Sequence, residues 1–138
     1  MQQTVWDGNT SPWAASNKVC VSDFRDRPMN MSRTYPATEP TRAAVEALEE
    51  PTVLEFGASW CGHCQAAQPL LAKAFARHPE IRHIKIEDGK GRPLGRSFRV
   101  TLWPTLIFLD QGKEVARLVR PTDSSAIERA LARISLAA

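Results

Sequence analysis

The chain has 138 residues, 43% of them hydrophobic and 24% charged, with 18 Lys+Arg against 15 Asp+Glu and a net charge of +3. That is the size and balance of one globular domain, too small for two cores. The charges are interspersed, which excludes the dense basic face of a nucleic-acid binder. No stretch has the length of a membrane-spanning helix, and three cysteines do not make a disulfide-stapled scaffold.

Residues 1–31 carry Trp6, Trp13 and Phe24, several turn formers and little periodicity. They read as an irregular N-terminal extension to a domain spanning 32–138. Cys20 lies in the extension and reads as a small, reduced apolar residue. Ser32 to Tyr35 is expected to be a short first strand. Pro40 and Thr41 open a helix to about Glu49, with Val45 and Leu48 on its apolar face, and Pro51 stops it. Thr52 to Phe56 reads as a buried central strand.

Gly62 to about His78 reads as a helix, with Ala67, Leu70, Leu71, Ala74 and Phe75 at helical spacing and Pro69 as a kink. Ile81, Ile84 and Ile86 mark another strand, and Gly89 to Arg99 a basic connection holding a short helix. That connection has several glycines but lacks the full phosphate-loop pattern. Thr105 to Leu109 and Glu114 to Val119 flank Asp110-Gln111-Gly112-Lys113, a hairpin signal. Asp123 or Thr122 caps a last helix, with Ile127, Ala130, Leu131 and Ile134 inward. The order βαβαβα then ββα predicts a parallel sheet covered by helices, with an antiparallel edge from the hairpin.

The chemistry concentrates in Trp60-Cys61-Gly62-His63-Cys64. Two thiols three residues apart follow a strand and open a helix, where the partial positive charge and free N–H groups favour a thiolate. The second thiol, one turn on, can close a disulfide with the first. The other readings are a pair of ordinary buried cysteines and half of a zinc site. A zinc site needs two more ligands, and Cys20, His63, His78 and His83 supply no second pair at finger spacing. Met1 to Asp7 has neither a basic n-region nor an apolar h-region, so the expected compartment is cytoplasmic. A Cys-x-x-Cys there is redox-active or metal-binding rather than structural.

From about residue 32 to the C-terminus the chain resembles the thioredoxin family. Phe56-Gly57-Ala58-Ser59-Trp60-Cys61-Gly62-His63-Cys64 is similar to the family's active-site run. Pro69 matches its kink proline, Trp103-Pro104-Thr105 its cis-proline turn, and Glu55 its buried acid. The resemblance implies an α/β thioredoxin fold with a central mixed sheet of four or five strands flanked by helices. It also implies thiol–disulfide oxidoreductase activity on protein disulfides, with no cofactor beyond the Cys61–Cys64 pair and no metal. Thioredoxin reductase is the implied electron donor, and a monomer is expected, with no nucleic-acid or membrane partner.

Within that frame Cys61 is the exposed nucleophile and Cys64 the resolving thiol. His63 gives Cys-Gly-His-Cys, as in eukaryotic protein disulfide isomerases. Its imidazolium would stabilise the Cys61 thiolate and make the disulfide more oxidising; a solvated surface histidine is the alternative. Glu55 is either a buried base toward Cys64 or a partly exposed acid paired with Lys85. Pro104 is expected cis, with the Trp103 backbone pairing an extended client segment. Trp103 itself either contacts the client or packs on the extension, while Trp60 and Gly62 shape the docking surface. Gln65 replaces the family's lysine, and Arg120-Pro121 replaces a glycine-containing turn. Two other readings stand beside a disulfide reductase: a disulfide oxidase or isomerase, and an interaction module of the same fold with secondary redox chemistry.

Overall fold

In a computed structural model, which describes residues 31–32 and 34–135, eight elements follow in order. They are α1 (Arg42–Glu46), β1 (Thr52–Gly57), α2 (Gly62–Phe75), β2 (Arg82–Glu87), α3 (Pro93–Ser97), β3 (Thr105–Asp110), β4 (Lys113–Val119) and α4 (Ser124–Ile134). The sheet order is β2-β1-β3-β4. Trp6, Trp13, Cys20 and Phe24 lie outside the described residues.

β1 is buried along its whole length, as its apolar run predicts. Alternation divides its side chains between two cores. Val53 packs with Ala67, Leu71, Phe75, Leu106, Phe108, Ile127 and Leu131, beneath α2 and α4. Leu54 and Phe56 pack with Val45, Ile86, Leu94, Phe98, Ile107 and Leu109, beneath α1 and α3. Met31 belongs to the first of these cores. Each large side chain so buried contributes about 1.5–3 kcal/mol.

The sheet is mixed, and less parallel than the alternating elements predict. Only β1 and β2 run parallel; β3 is antiparallel to β1, and β4 to β3. β3 starts where β1 ends, with Thr105 opposite Phe56. That topology brings the Trp103-Pro104 turn to the head of α2.

Local chemistry explains the remaining differences from expectation. Ser32, Thr34 and Tyr35 form no strand. Ser32 instead donates its N–H to His83 Nδ1 and its hydroxyl to the His83 carbonyl, each at 2.9 Å. Helix α1 ends at Glu46 rather than Glu49. Its last turn tightens through Ala47 N–H to the Ala44 carbonyl and Leu48 N–H to the Val45 carbonyl. Helix α2 runs through Pro69 and ends at Phe75 rather than His78, because Pro79 disfavours helical geometry at the residue before it. Asp123, not Thr122, caps α4 through a bond from the Ala126 N–H at 2.8 Å. The β3–β4 turn has positive φ at both Gln111 and Gly112, matching a tight two-residue hairpin. A side chain at Gly112 would strike the Glu46 carbonyl at 2.1 Å.

Candidate active site

Cys61 is the N-cap of α2, and its sulfur accepts the Cys64 backbone N–H at 3.4 Å. Both cysteines are free thiols. Both are also buried as residues, at 8% exposure for Cys61 and 2% for Cys64, so the expected exposed nucleophile is only the more accessible of two sheltered thiols. Their acidities separate strongly. Burial alone would raise the Cys61 thiol. Hydrogen bonds from the Cys64 thiol and from the Cys64 and His63 backbone N–H groups, with the Arg120 charge, bring it below its ordinary value. Cys64 is pushed up to about 11 by burial, by its hydrogen bond to Cys61, and by the charges of Cys61 and Glu55. The pair therefore presents Cys61 as the more acidic and more accessible thiol, over a Cys64 that holds its proton.

Beneath Cys64 lies a buried polar network built by strand alternation. Glu55 and Lys85 are register partners on neighbouring strands, and His83 stands two residues before Lys85 on the same face. Glu55 is fully buried, with Oε1 at 2.8 Å from His83 Nε2. Its Oε2 accepts Gln68 Nε2 at 2.8 Å and lies 3.8 Å from Lys85 Nζ. The Ser32 backbone N–H can only donate, so His83 Nδ1 accepts and Nε2 carries the proton directed at Glu55. Burial pushes the Glu55 carboxyl up, but His83, Lys85 and Gln68 together hold it below its ordinary value. It is thus an ionised, fully paired carboxylate rather than a partly exposed acid. Gln68 also donates to the Cys64 carbonyl at 2.9 Å and accepts from Lys85 at 3.0 Å, joining the network to the redox helix.

Gly57 makes the approach of these groups possible. A Cβ there would meet Cys64 Sγ at 2.5 Å and the Tyr35 hydroxyl at 3.0 Å. Tyr35 lies over Lys85 Nζ, 4.5 Å from its ring centroid. Burial, then the charges of Glu55 and Cys64, push its phenol up. A cleft of about 480 Å³ lined by Tyr35, Cys64, Gln68 and Lys85 opens on this side of the disulfide pair.

The outer rim is aromatic. Trp103 packs on Ala58, Cys61 and Cys64, and meets Trp60 edge-on at a centroid distance of 5.4 Å. Its indole N–H donates to Asp88 Oδ2 at 2.9 Å, fixing the ring against the thiols. Trp60 is 71% exposed. The Trp103–Pro104 peptide bond is cis. Gly62 and His63 are exposed in the first turn of α2. Gln65 donates to the Ser59 carbonyl at 2.8 Å, tying the loop before Cys61 to the helix after it.

The sequence profile of the thioredoxin family matches residues 37–133. The chain belongs to the thioredoxin family. Thioredoxin 2 from Pseudomonas aeruginosa PAO1, in its reduced form, is 55% identical with a TM-score of 0.69, covering 75% of this chain and 96% of that one. Thioredoxin H-type 1 from Nicotiana tabacum is 34% identical over 67 residues, 49% of this chain and 53% of the relative, so the chain spans about half of that protein's length. Thioredoxin-1 from Saccharomyces cerevisiae is 30% identical over 86 residues, 62% of this chain and 82% of the relative. Thioredoxin relatives of this kind are thiol–disulfide oxidoreductases.

The thioredoxin site collects Cys61, His63, Cys64, Glu55, Trp60, Gly62, Trp103 and Pro104 at one end of the sheet. The His63 backbone N–H is among the donors that lower the Cys61 thiol. Trp103 is held on the thiols by Asp88. Sequence reasoning weighed His83 only as a zinc ligand and gave no role at the site to Gln68, Tyr35 or Asp88. No local signal marked His83: alternation with Ile84 and Ile86 puts it with Lys85 on the polar face of its strand, and its burial comes from Phe75 and Glu55.

Proposed function

We propose that this thioredoxin reduces protein disulfides by dithiol–disulfide exchange, with Cys61 as nucleophile and Cys64 as resolving thiol. The split in acidity across the pair carries this reading. The Cys61 thiolate attacks a client disulfide, forming a mixed disulfide and expelling one client thiolate, which takes a proton from solvent. Cys64 then loses its proton and attacks Cys61 Sγ, closing the Cys61–Cys64 disulfide and releasing the second client thiolate. Two electrons pass from the pair to the client.

Glu55 is the base for the second step. Its carboxylate lies beneath Cys64, beside the cleft that Gln68 and Lys85 line. The client docks as an extended segment along the Trp103 backbone, against Trp60, Trp103 and Gly62. His63 tunes the thiolate mainly through its backbone N–H. No group beyond the two cysteines enters the balance, and a thioredoxin reductase is the fitting electron donor. No helix among the described residues is long and apolar enough to cross a membrane; a monomer in the cytoplasm is the setting that suits a reductase.

The depressed Cys61 pKa also favours a second reading, in which the disulfide form donates its bond to client thiols. The reduction potential separates the two. A value near about −270 mV supports the reductase, and one near about −180 mV the oxidant or isomerase. Cys64→Ser should trap clients as mixed disulfides on Cys61, and Cys61→Ser should trap none. A Cys64→Ser protein that captures no client would refute the exchange mechanism and leave an interaction module.

A further inference from the structure

Arg120 follows β4 directly and has positive φ. Its backbone N–H donates to the Pro104 carbonyl at 2.9 Å, and its side-chain Nε to the Trp103 carbonyl at 2.8 Å. Both bonds end on the turn that carries the aromatic rim beside Cys61. The residue is exposed, and its two terminal nitrogens make no hydrogen bond or ion pair among the described residues. A guanidinium is thus pinned along one edge while most of its donor fork stays unused. Its charge is felt at the Cys61 sulfur, where it helps hold the thiol down. The large exposed hydrophobics of the described residues, Trp60, Leu102 and Val119, lie at or next to the segments that Arg120 bridges.

The Trp103 carbonyl is the acceptor that an extended client strand would use on this edge, and in the free protein Arg120 fills it. We propose that Arg120 is a specificity residue. It holds the Trp103 carbonyl at rest, yields it to a docking client strand, and pairs the released guanidinium with a client carboxylate beside the disulfide. This rests on the reading that clients dock along Trp103. The fork matches a carboxylate with two parallel N–H donors, and an exposed pair of this kind is screened by salt.

The test uses the full chain, reduced, with two matched disulfide peptides that differ only in Glu or Gln two residues from the cystine. The expected wild-type preference for the Glu peptide is about fivefold in kcat/KM at low ionic strength, the upper end for an exposed ion pair. It is carried by KM and shrinks as salt rises. Arg120→Lys retains most of it; Arg120→Ala abolishes it and lowers KM for the Gln peptide, whose strand no longer competes for the carbonyl. Arg120→Gln keeps an amide donor and drops only the charge, so its preference should also vanish, and it stands in if the alanine variant fails to fold. A preference unchanged in either neutral variant overturns the proposal. Equal rates on both peptides in the wild type overturn it while leaving the reductase reading intact. Reduction of neither peptide overturns both.

Discussion

Replacing His63 by proline separates the backbone of the active site from its side chains. His63 is the second residue of α2, directly after Gly62, and its N–H is among the donors that lower the Cys61 thiol. Proline is tolerated in a first helical turn but has no N–H. A hydrogen bond to a charged group is worth roughly 1.5–3 kcal/mol net. His63 is exposed, so solvent replaces part of that, leaving about 1.4 kcal/mol, or about one pKa unit at Cys61. The thiolate belongs to the reduced form. Its loss raises the free energy of that form, and the potential moves to more negative values by up to about 30 mV. His63→Ala removes the imidazole but keeps the N–H, and should shift both quantities by less than half as much. The assays are titration of thiolate absorbance against pH and equilibration with glutathione buffers. An alanine variant shifted as far as the proline variant would refute the argument and return the effect to imidazole charge.

Three further outcomes follow from the same geometry. Glu55 has a depressed pKa in the fold, so its contribution is present above the unfolded value of about 4.3 and lost as pH falls through the folded one. Glu55→Gln removes the carboxylate that His83 and Lys85 face and should cost about 3 kcal/mol at pH 7, with the gap to wild type narrowing as pH falls below about 4.3; urea unfolding at pH 7 and at acid pH checks the sign. Gly57→Ala places a methyl group 2.5 Å from Cys64 Sγ, and should cost about 1–3 kcal/mol of stability by overpacking while lengthening the life of the mixed disulfide in stopped-flow exchange. With Cys64 pushed up to about 11 and Cys61 held below its usual 9.0, alkylation of the reduced protein at pH 8 should label Cys61 at least about tenfold faster; equal labelling by peptide mass would contradict the assignment of roles.

The line of chemistry is legible in the order of the residues alone. Cys61 and Cys64 announce themselves by spacing and by the strand and helix around them, and Pro104 and Glu55 by their place in the family's pattern. The helices and strands from α1 to α4 follow from period and punctuation, because apolar spacing, caps and the Asp110 to Lys113 turn are local properties. Ser32, Thr34 and Tyr35 form no strand, and the Ser32 side chain and N–H bind His83, 51 residues away. No local pattern contains that partner.

Tertiary structure decided the rest, and for one reason: the deciding contacts join residues far apart in sequence. Antiparallel pairing of β3 with β1 brings Trp103 onto the thiols, where Asp88 fixes it. Pairing of β1 with β2 turns Glu55 from a lone acid into a carboxylate held by His83 and Lys85. The β4 terminus brings Arg120 to the Trp103 carbonyl. By itself the sequence picked out the two thiols proposed to exchange electrons, since that proposal depends on two cysteines and a helix start. The acidity of those atoms and the surface a client meets depend on burial and on charges from other elements, which exist only once the sheet is assembled.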